Sequence, residues 1–259
     1  MPSDMPLDAL PIWVFIVSVV LASVIAEECG YRLGQMRGRR AGTESDSRVS
    51  GMVGAELGLL AFLLAFTFGM AASRFDSRRE VVLDEANAIG TTYLRTAMLP
   101  EPHRASVRSQ LREYVDVRLA AVQGGISLSK GIRRSEELHG LLWAEAVRAA
   151  ELDPRSVPTG LFIQSLNEVI DLHSKRLTVA TRSRIPTPVW TVLFVVAVMT
   201  FLGVGYQGGV SKTGRSLAVY GVVLTFAVVL WLVVDLDRPG EGLLEVSQQP
   251  MIELRKSME

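Results

Sequence analysis

One ionisable side chain lies inside an apolar stretch that is long enough to cross a bilayer. Glu56 is the single charged residue between Gly51 and Ser73. A carboxylate in a membrane span is costly, so it usually faces protein or water and marks a functional site by default. The sequence leaves three environments open for Glu56: an ion pair with Arg32 or another cation at the end of the preceding helix, a water-filled path, or the membrane interface.

A second group of polar residues lies between the apolar stretches, in two acidic clusters with basic neighbours. Carboxylates that face each other in a helical bundle can hold a metal ion. The Glu-x-x-His spacing of di-iron bundles is missing, however, since Asp171 stands three residues after Glu168. Lys175 and Arg176 follow closely, which favours a salt-bridge network, and we expect no metal and no cofactor. The predicted polar network consists of Arg78, Arg79, Asp84, Glu85, Asn87, Asn167, Glu168 and Asp171.

The rest of the sequence gives little support for catalysis. It has no glycine-rich phosphate loop, no G-x-S-x-G or H-E-x-x-H motif, and no pattern typical of nucleic-acid binding. Cys29 is the single cysteine, which excludes an internal disulfide and a cysteine-based metal cluster. His103 and His139 have no neighbours in the sequence that suggest catalysis. We therefore predict neither an enzyme nor a nucleic-acid partner.

Four stretches of the chain are almost free of charge. The 259 residues carry no net formal charge and are 49% apolar, values that a soluble protein could share. Crossing the hydrocarbon core takes about 20 apolar residues in a helix. The four stretches, 11–26, 51–73, 189–206 and 217–234, predict transmembrane helices at about 7–28, 51–73, 188–206 and 217–235, with the lipid bilayer as the first partner.

The predicted helices pair into two hairpins, 7–73 and 187–236, each closed by a short basic loop. The first loop covers 31–50, and the second contains Lys212 and Arg215. A cleaved signal peptide is the rival interpretation of the first stretch. It is disfavoured because the segment ahead of that stretch carries Asp4 and Asp8 and no Lys or Arg.

Residues 74–186 form a predicted water-exposed domain. Proline pairs and Gly124 divide it into helices, and the first of these continues the second membrane helix. No alternating stretch is long enough for a sheet. The predicted fold class is an all-α integral membrane protein with four transmembrane helices and an inserted helical bundle continuous with them, followed by a C-terminal tail, 237–259.

Small residues recur at steps of three and four along the second membrane helix, which places them on one narrow face. Such a stripe lets helices approach closely, either within one subunit or between subunits. The stripe consists of Gly54, Gly58, Ala61, Ala65, Gly69 and Ala72. The opposite face holds the residues that periodicity predicts to line a pore, Glu56, Leu63, Thr67 and Arg74.

Several sequence runs resemble one known family. They are LLAFLLAFTFGMA at 59–71, SRFDSRR at 73–79, DEANAIGT at 84–91, LNE at 166–168, IDLH at 170–173, RIP at 184–186, DLDRP at 235–239 and VSQQP at 246–250. Together they are similar to the bestrophin-like family of bacterial integral membrane proteins, over nearly the whole chain from Glu28 onward.

The resemblance implies the plan of bestrophins, which are pentameric ion channels with four membrane helices per subunit and a pore lined by the second helix. The bestrophin neck, three bulky apolar residues at steps of four, corresponds to Phe62, Phe66 and Met70. This register differs from the one that periodicity favours, and both stay open. The acidic calcium clasp of animal bestrophins has no equivalent here beyond Asp235, Asp237 and Glu241, which argues against calcium gating.

The leading functional hypothesis is an oligomeric ion channel or pore lined by the second transmembrane helix. Four spans are too few to enclose a path alone, so the expected partners are further copies of the chain, five by the bestrophin precedent, and inorganic ions. A ring of Glu56 carboxylates would favour cations. The alternative is a non-conducting sensor or assembly protein whose helical domain binds a ligand or a protein partner.

The charge of the short loops predicts the orientation in a bacterial inner membrane. Basic loops stay in the cytoplasm, which places both termini and the helical domain outside, whereas the domain of bestrophins is cytosolic. Single cysteines at Ser45, Gln123, Thr213 and Glu259, on a Cys29→Ala background, test this. An impermeant thiol reagent should label intact cells only at Gln123 and Glu259. Labelling of Gln123 only after permeabilisation would reverse the orientation.

Overall fold

The computed structural model describes residues 11–38, 44–211, 217–238, 240 and 242–259. These residues contain eight α-helices and one short 3-10 helix. The helices are α1 (Ile12–Gly38), α2 (Glu44–Arg95), α3 (His103–Val122), α4 (Leu128–Leu152), α5 (Val157–Arg182), α6 (Thr187–Val210), α7 (Leu217–Asp237) and α8 (Gln249–Ser257). The 3-10 helix, Thr96–Met98, follows α2 directly.

The helices α1, α2, α6 and α7 are long and apolar enough to cross a membrane. The predicted fold class, all-helical with four membrane helices, is therefore confirmed. Some sequence predictions fall outside the described residues: the start of the first span at residue 7, and Lys212, Thr213, Arg215, Pro239 and Glu241.

Local sequence signals explain where several helices begin and end. Gly124 follows α3 with a φ of 77°, a left-handed conformation that glycine adopts without strain. The amide of Gly125 then donates to the carbonyl of Ala120 at 2.9 Å. The hydroxyl of Ser127 caps α4 by accepting from the amide of Lys130 at 3.4 Å.

The described residues divide into two compact units. Unit 1 comprises Met1–Phe75 and Thr181–Glu245, and it contains α1, α6, α7 and the first part of α2. Unit 2 comprises Asp76–Ala180 and Val246–Glu259. The predicted domain, 74–186, lacked the last of these segments, because the tail looked only mildly amphipathic in the sequence.

In unit 2, the C-terminal segment is part of the core. The side chains of Met251 and Met258 are almost completely buried. The guanidinium of Arg112 donates to the carbonyl oxygen of Met258 at 2.7 Å, and Arg255 pairs with Asp116 at 2.6 Å. Helix α8 thus packs as one more helix of this unit.

In unit 1, α1 and α6 touch through their backbones at glycines. The glycines are spaced by four on each helix, so they form one stripe per helix. A Cβ atom added at any of them would fall on a carbonyl oxygen of the other helix. These glycines are Gly30 and Gly34 in α1, and Gly205 and Gly209 in α6. Close approach of this kind is how membrane helices gain packing energy in lipid.

The α1–α6 contact predicts an asymmetric response to two glycine replacements. Gly205→Ala should lower the stability of the detergent-solubilised protein by about 1–3 kcal/mol, because the helices must separate to admit the methyl group. Gly54→Ala is the control, since an ideal Cβ at Gly54 has no atom within 4 Å. Thermal melts followed by size-exclusion chromatography measure the difference. Equal melting temperatures for the two variants would contradict the contact.

Candidate functional site

The membrane part of α2 turns one face toward the other helices of unit 1. Its buried side chains are Val53, Leu60, Thr67 and Ala71, whose spacing places them on one side of the helix. Glu56, Leu63 and Arg74 lie half-buried on the same side. The face that periodicity predicts to line a pore is therefore packed against other helices of the same protomer.

Glu56 lies against α6. One carboxylate oxygen, Oε2, is 2.8 Å from the position of an ideal Cβ on Gly203. That oxygen is buried and has no hydrogen-bond partner among the described residues. Arg32 pairs instead with Glu28, at 2.7 Å. An ion pair between Glu56 and Arg32, which is one of the possibilities that the sequence leaves open, is not observed among the described residues, because a carboxylate one turn earlier on α1 binds that guanidinium.

The remaining polar groups on this face bond locally. The hydroxyl of Thr67 donates to the carbonyl of Leu63 at 2.7 Å, and the guanidinium of Arg74 donates to the carbonyl of Met70 at 3.2 Å. Both bonds stay within α2, one turn back along the helix. Each bond satisfies one donor without a partner helix.

The opposite face of α2 is uncovered in the protomer. Phe62 is 66% exposed and Phe66 is 58% exposed, while Met70 is half-buried. The predicted small-residue stripe also lies on the uncovered side, where Gly54, Gly58, Ala61, Ala65 and Gly69 are exposed and Ala72 is half-buried. Its three glycines have no atom within 4 Å of an ideal Cβ. The stripe thus contributes no close contact within the protomer.

Unit 2 encloses an ionic cluster centred on Glu85. The Glu85 side chain is fully buried, and its Oε1 lies 3.1 Å from Nε of Arg118. Arg176 from α5 also pairs with Glu85, and the hydroxyl of Tyr114 donates to Oε1 at 2.8 Å. A second nitrogen of Arg176 donates to the side chain of Gln248 at 2.8 Å. Helices α3 and α5 therefore converge on one carboxylate of α2.

The positive charges of Arg118 and Arg176 offset the cost of burying the Glu85 carboxylate. Burial raises the pKa of Glu85, but the guanidiniums of Arg118 and Arg176 more than offset it, so the pKa lies below its ordinary value. Burial, followed by the adjacent Glu85 carboxylate, raises the pKa of Tyr114 well above its ordinary value. At neutral pH, Glu85 is therefore ionised and Tyr114 remains a neutral donor.

Two histidines complete the cluster. The rings of His139 and His173 meet edge to face with centroids 4.8 Å apart, and both side chains are buried. Burial, followed by the positive charge of Arg118, lowers the pKa of each imidazole to about 4. Both rings are therefore neutral at pH 7.

The structure brings together only part of the predicted polar network. Glu85 is at its centre, and Asp84 pairs with Lys175 at the surface, at 3.7 Å. Arg78 is buried, whereas the other predicted members are exposed: Arg79, Asn87, Asn167, Glu168 and Asp171. The sequence reasoning missed Tyr114, Arg118, His139 and His173 as companions of Glu85.

One signal in the sequence could have found part of this cluster. The buried positions of α3 are Val107, Leu111, Tyr114, Val115 and Arg118, which follow the helical period. A charged residue at the end of such an apolar stripe requires a buried partner of opposite charge. Only the tertiary structure shows that Glu85 is the partner of Arg118, because the two residues are 33 positions apart in the sequence.

A family comparison decides the identity. A family model described as the bestrophin-like domain matches residues 20–251, which is most of the chain. The chain belongs to the bestrophin-like family. No curated protein matches the sequence of this bestrophin-like protein.

Solved structures support the same fold. A point variant of a bacterial bestrophin homologue from Klebsiella pneumoniae is 16% identical, has a TM-score of 0.61, and covers 95% of this chain and 97% of its own. A structure of the homologue phased on zinc has 16% identity, a TM-score of 0.62 and coverage of 94% and 95%. A structure named only as a membrane protein reaches a TM-score of 0.64 at 16% identity, with 95% and 97% covered.

The calcium clasp of animal bestrophins does not fit the residues at the end of α7. Both carboxylate oxygens of Asp235 accept backbone amides, from Leu243 at 2.8 Å and Leu244 at 3.0 Å. Oδ1 of Asp237 accepts the amide of Ile185 at 3.0 Å. A calcium ion needs six to eight oxygen ligands, and these oxygens are directed at N–H donors. Among the described residues, no three His, Cys, Asp or Glu side chains are grouped so that they could hold a metal ion.

Neutralising Glu85 tests the ionic cluster of the bestrophin-like protein. Glu85→Gln should destabilise unit 2 by about 3–5 kcal/mol, because it leaves two guanidiniums buried without their counter-charge. Asp84→Asn is the matched control on the adjacent residue, where an exposed ion pair contributes about 1 kcal/mol at most. Denaturant unfolding in detergent, followed by circular dichroism, compares the two. A similar loss in both variants would mean that the cluster does not hold the unit together.

Proposed function

We propose that this bestrophin-like membrane protein assembles with further copies of itself into an ion channel in the bacterial inner membrane, with α2 lining the conduit. The proposal rests on how little of α2 is buried by the other helices of its own chain. In its most apolar window 17% of residues are buried, against 33% in each of the other three membrane helices. Helix α2 is thus the membrane helix least covered by its own chain, as a helix shared between subunits would be.

The exposed aromatic face supports the bestrophin register for the pore. The face with Glu56, Leu63 and Thr67 already packs within the protomer, so it cannot also line a conduit without repacking. Phe62 and Phe66 are exposed one turn apart, and Met70 continues the series. Stacked rings of such side chains form a hydrophobic constriction, which can gate by expelling water.

The small residues beside this face support close assembly. Gly54, Gly58 and Gly69 leave open space on the protomer, and glycine and alanine at a lipid-facing helix surface let a second backbone approach. In the assembled state, the stripe of one α2 would contact a neighbouring subunit while the aromatic residues face the axis. A chain with four spans needs such neighbours to enclose a path.

The membrane orientation and the ion remain part of the proposal. A buried Glu56 would contribute no carboxylate ring to the conduit in the bestrophin register, so it would not set selectivity. In the periodicity register it would favour cations. The two registers therefore predict different effects of the same substitution.

Conduction by purified protein in liposomes tests the channel. The wild type should pass ions, and Phe66→Ala should increase the conductance because it widens the constriction. Leu63→Ala is the matched control on the protomer-packed face and should leave conductance unchanged. Glu56→Gln should leave the reversal potential unchanged, whereas a shift toward anions would select the periodicity register.

The absence of conduction would overturn the proposal. If neither the wild type nor Phe66→Ala nor Leu63→Ala passes ions, the protein is a non-conducting sensor or assembly protein. Size-exclusion chromatography with light scattering should accompany the assay. A monomer in every detergent and in native membrane extracts would also exclude a shared conduit.

A further inference from the structure

Among the described residues, the charged groups that act on the two histidines of unit 2 belong to one buried cluster. Helix α2 contributes Glu85, α3 contributes Tyr114 and Arg118, and α5 contributes His173 and Arg176. Helix α4 contributes His139, whose ring lies 5.0 Å from that of Tyr114 and 4.8 Å from that of His173. Four helices therefore meet at one desolvated site.

The hydrogen bonds fix the tautomer of His173. The hydroxyl of Tyr114 donates its proton to the Glu85 carboxylate, which can only accept. The same hydroxyl lies 3.2 Å from Nδ1 of His173, so its oxygen accepts the Nδ1 proton. The lone pair of the neutral ring then resides on Nε2, the other ring nitrogen.

Neither imidazole has a hydrogen-bond acceptor beside its Nε2 atom, so the N–H of a protonated ring would lack a partner there. Nε2 of His139 and Nε2 of His173 are both buried and have no hydrogen-bond partner among the described residues. The cluster holds one carboxylate against two guanidiniums, and Tyr114, Arg118 and Arg176 already occupy Glu85. An imidazolium formed here would place a further positive charge beside the guanidiniums of Arg118 and Arg176. The protein interior screens this repulsion poorly.

We propose that the histidine pair of this cluster is an acid-sensitive latch, which holds α4 and α5 onto α2 and α3 while both rings are neutral and releases them when either ring is protonated. The ligand of this site is the proton. The inference does not require that the protein conducts ions, since it concerns only the cohesion of unit 2.

The direction of the pH effect follows from linkage. The ordinary pKa of an imidazole, about 6.5, applies when the chain is unfolded. In folded unit 2, burial lowers the pKa of each of the two imidazoles to about 4. The unfolded state therefore takes up more protons as the pH falls, and stability decreases between about pH 6.5 and pH 4. Each ring should shift the unfolding equilibrium at least about tenfold across this window.

Thermal unfolding of the full chain in detergent, at about pH 7.5 and about pH 5, tests the latch. His139→Phe combined with His173→Gln removes both titrating rings, keeps an aromatic edge and keeps a donor for Tyr114. The wild type should lose melting temperature on acidification, and the double variant should lose clearly less. His103→Gln is the control, since His103 pairs with Glu145 at 2.7 Å and is the only other histidine in the chain.

Equal acid losses in the wild type and the double variant would overturn the latch, and so would an equally protective His103→Gln. If the double variant does not fold at about pH 7.5, hydrogen–deuterium exchange of the wild type decides the question. After correction for intrinsic rates, acid should increase exchange in the α4 and α5 peptides that contain the two histidines. Exchange that rises equally in α1 and α6, which contain no histidine, would refute it.

Discussion

Lipid hydrocarbon can neither donate nor accept a hydrogen bond, and this constraint determines how unit 1 is built. Each membrane segment has to satisfy its own backbone, which only a helix can do within one segment. Lipid tails are as apolar as leucine, so hydrophobicity alone does not draw such helices together. The glycine contact between α1 and α6 supplies what is missing: backbones close enough for many favourable dispersion contacts. The side chains of α7 and α2 then pack around this pair.

Unit 2 faces a different constraint, because every polar group that it buries loses the hydrogen bonds that water provides in the unfolded chain. Its core includes an ionic cluster, in which one carboxylate accepts a hydrogen bond from a phenol and pairs with two guanidiniums. Burial of a charge is tolerated only when partners replace its hydration. Glu85 has these partners, whereas Glu56 in unit 1 has a glycine beside it and no counter-charge among the described residues. The two carboxylates thus occupy very different electrostatic environments within one continuous helix, α2.

The sequence predicted the fold class because the membrane spans and the helix-ending glycines are local signals. It could not choose the packed face of α2, since the choice depends on which other helix supplies the neighbour. Gly54 and Gly58 have the same four-residue spacing as Gly30 and Gly34, yet only the latter pair meets a backbone. Arg118 was missed for the same reason, because its partner lies on another helix. Spacing identifies a face, and only tertiary structure identifies what covers it.

The separation of α1 and α6 along the chain has a consequence for biosynthesis. Gly30 and Gly205 are joined in space, but roughly 170 residues must be translated between them. At 5–20 residues per second, this takes about 10–35 seconds. During that time α6 does not yet exist, so the glycine face of α1 is without its partner. The final fit of unit 1 is therefore a late, post-insertion event, which comes after the whole of α3, α4 and α5 has left the ribosome.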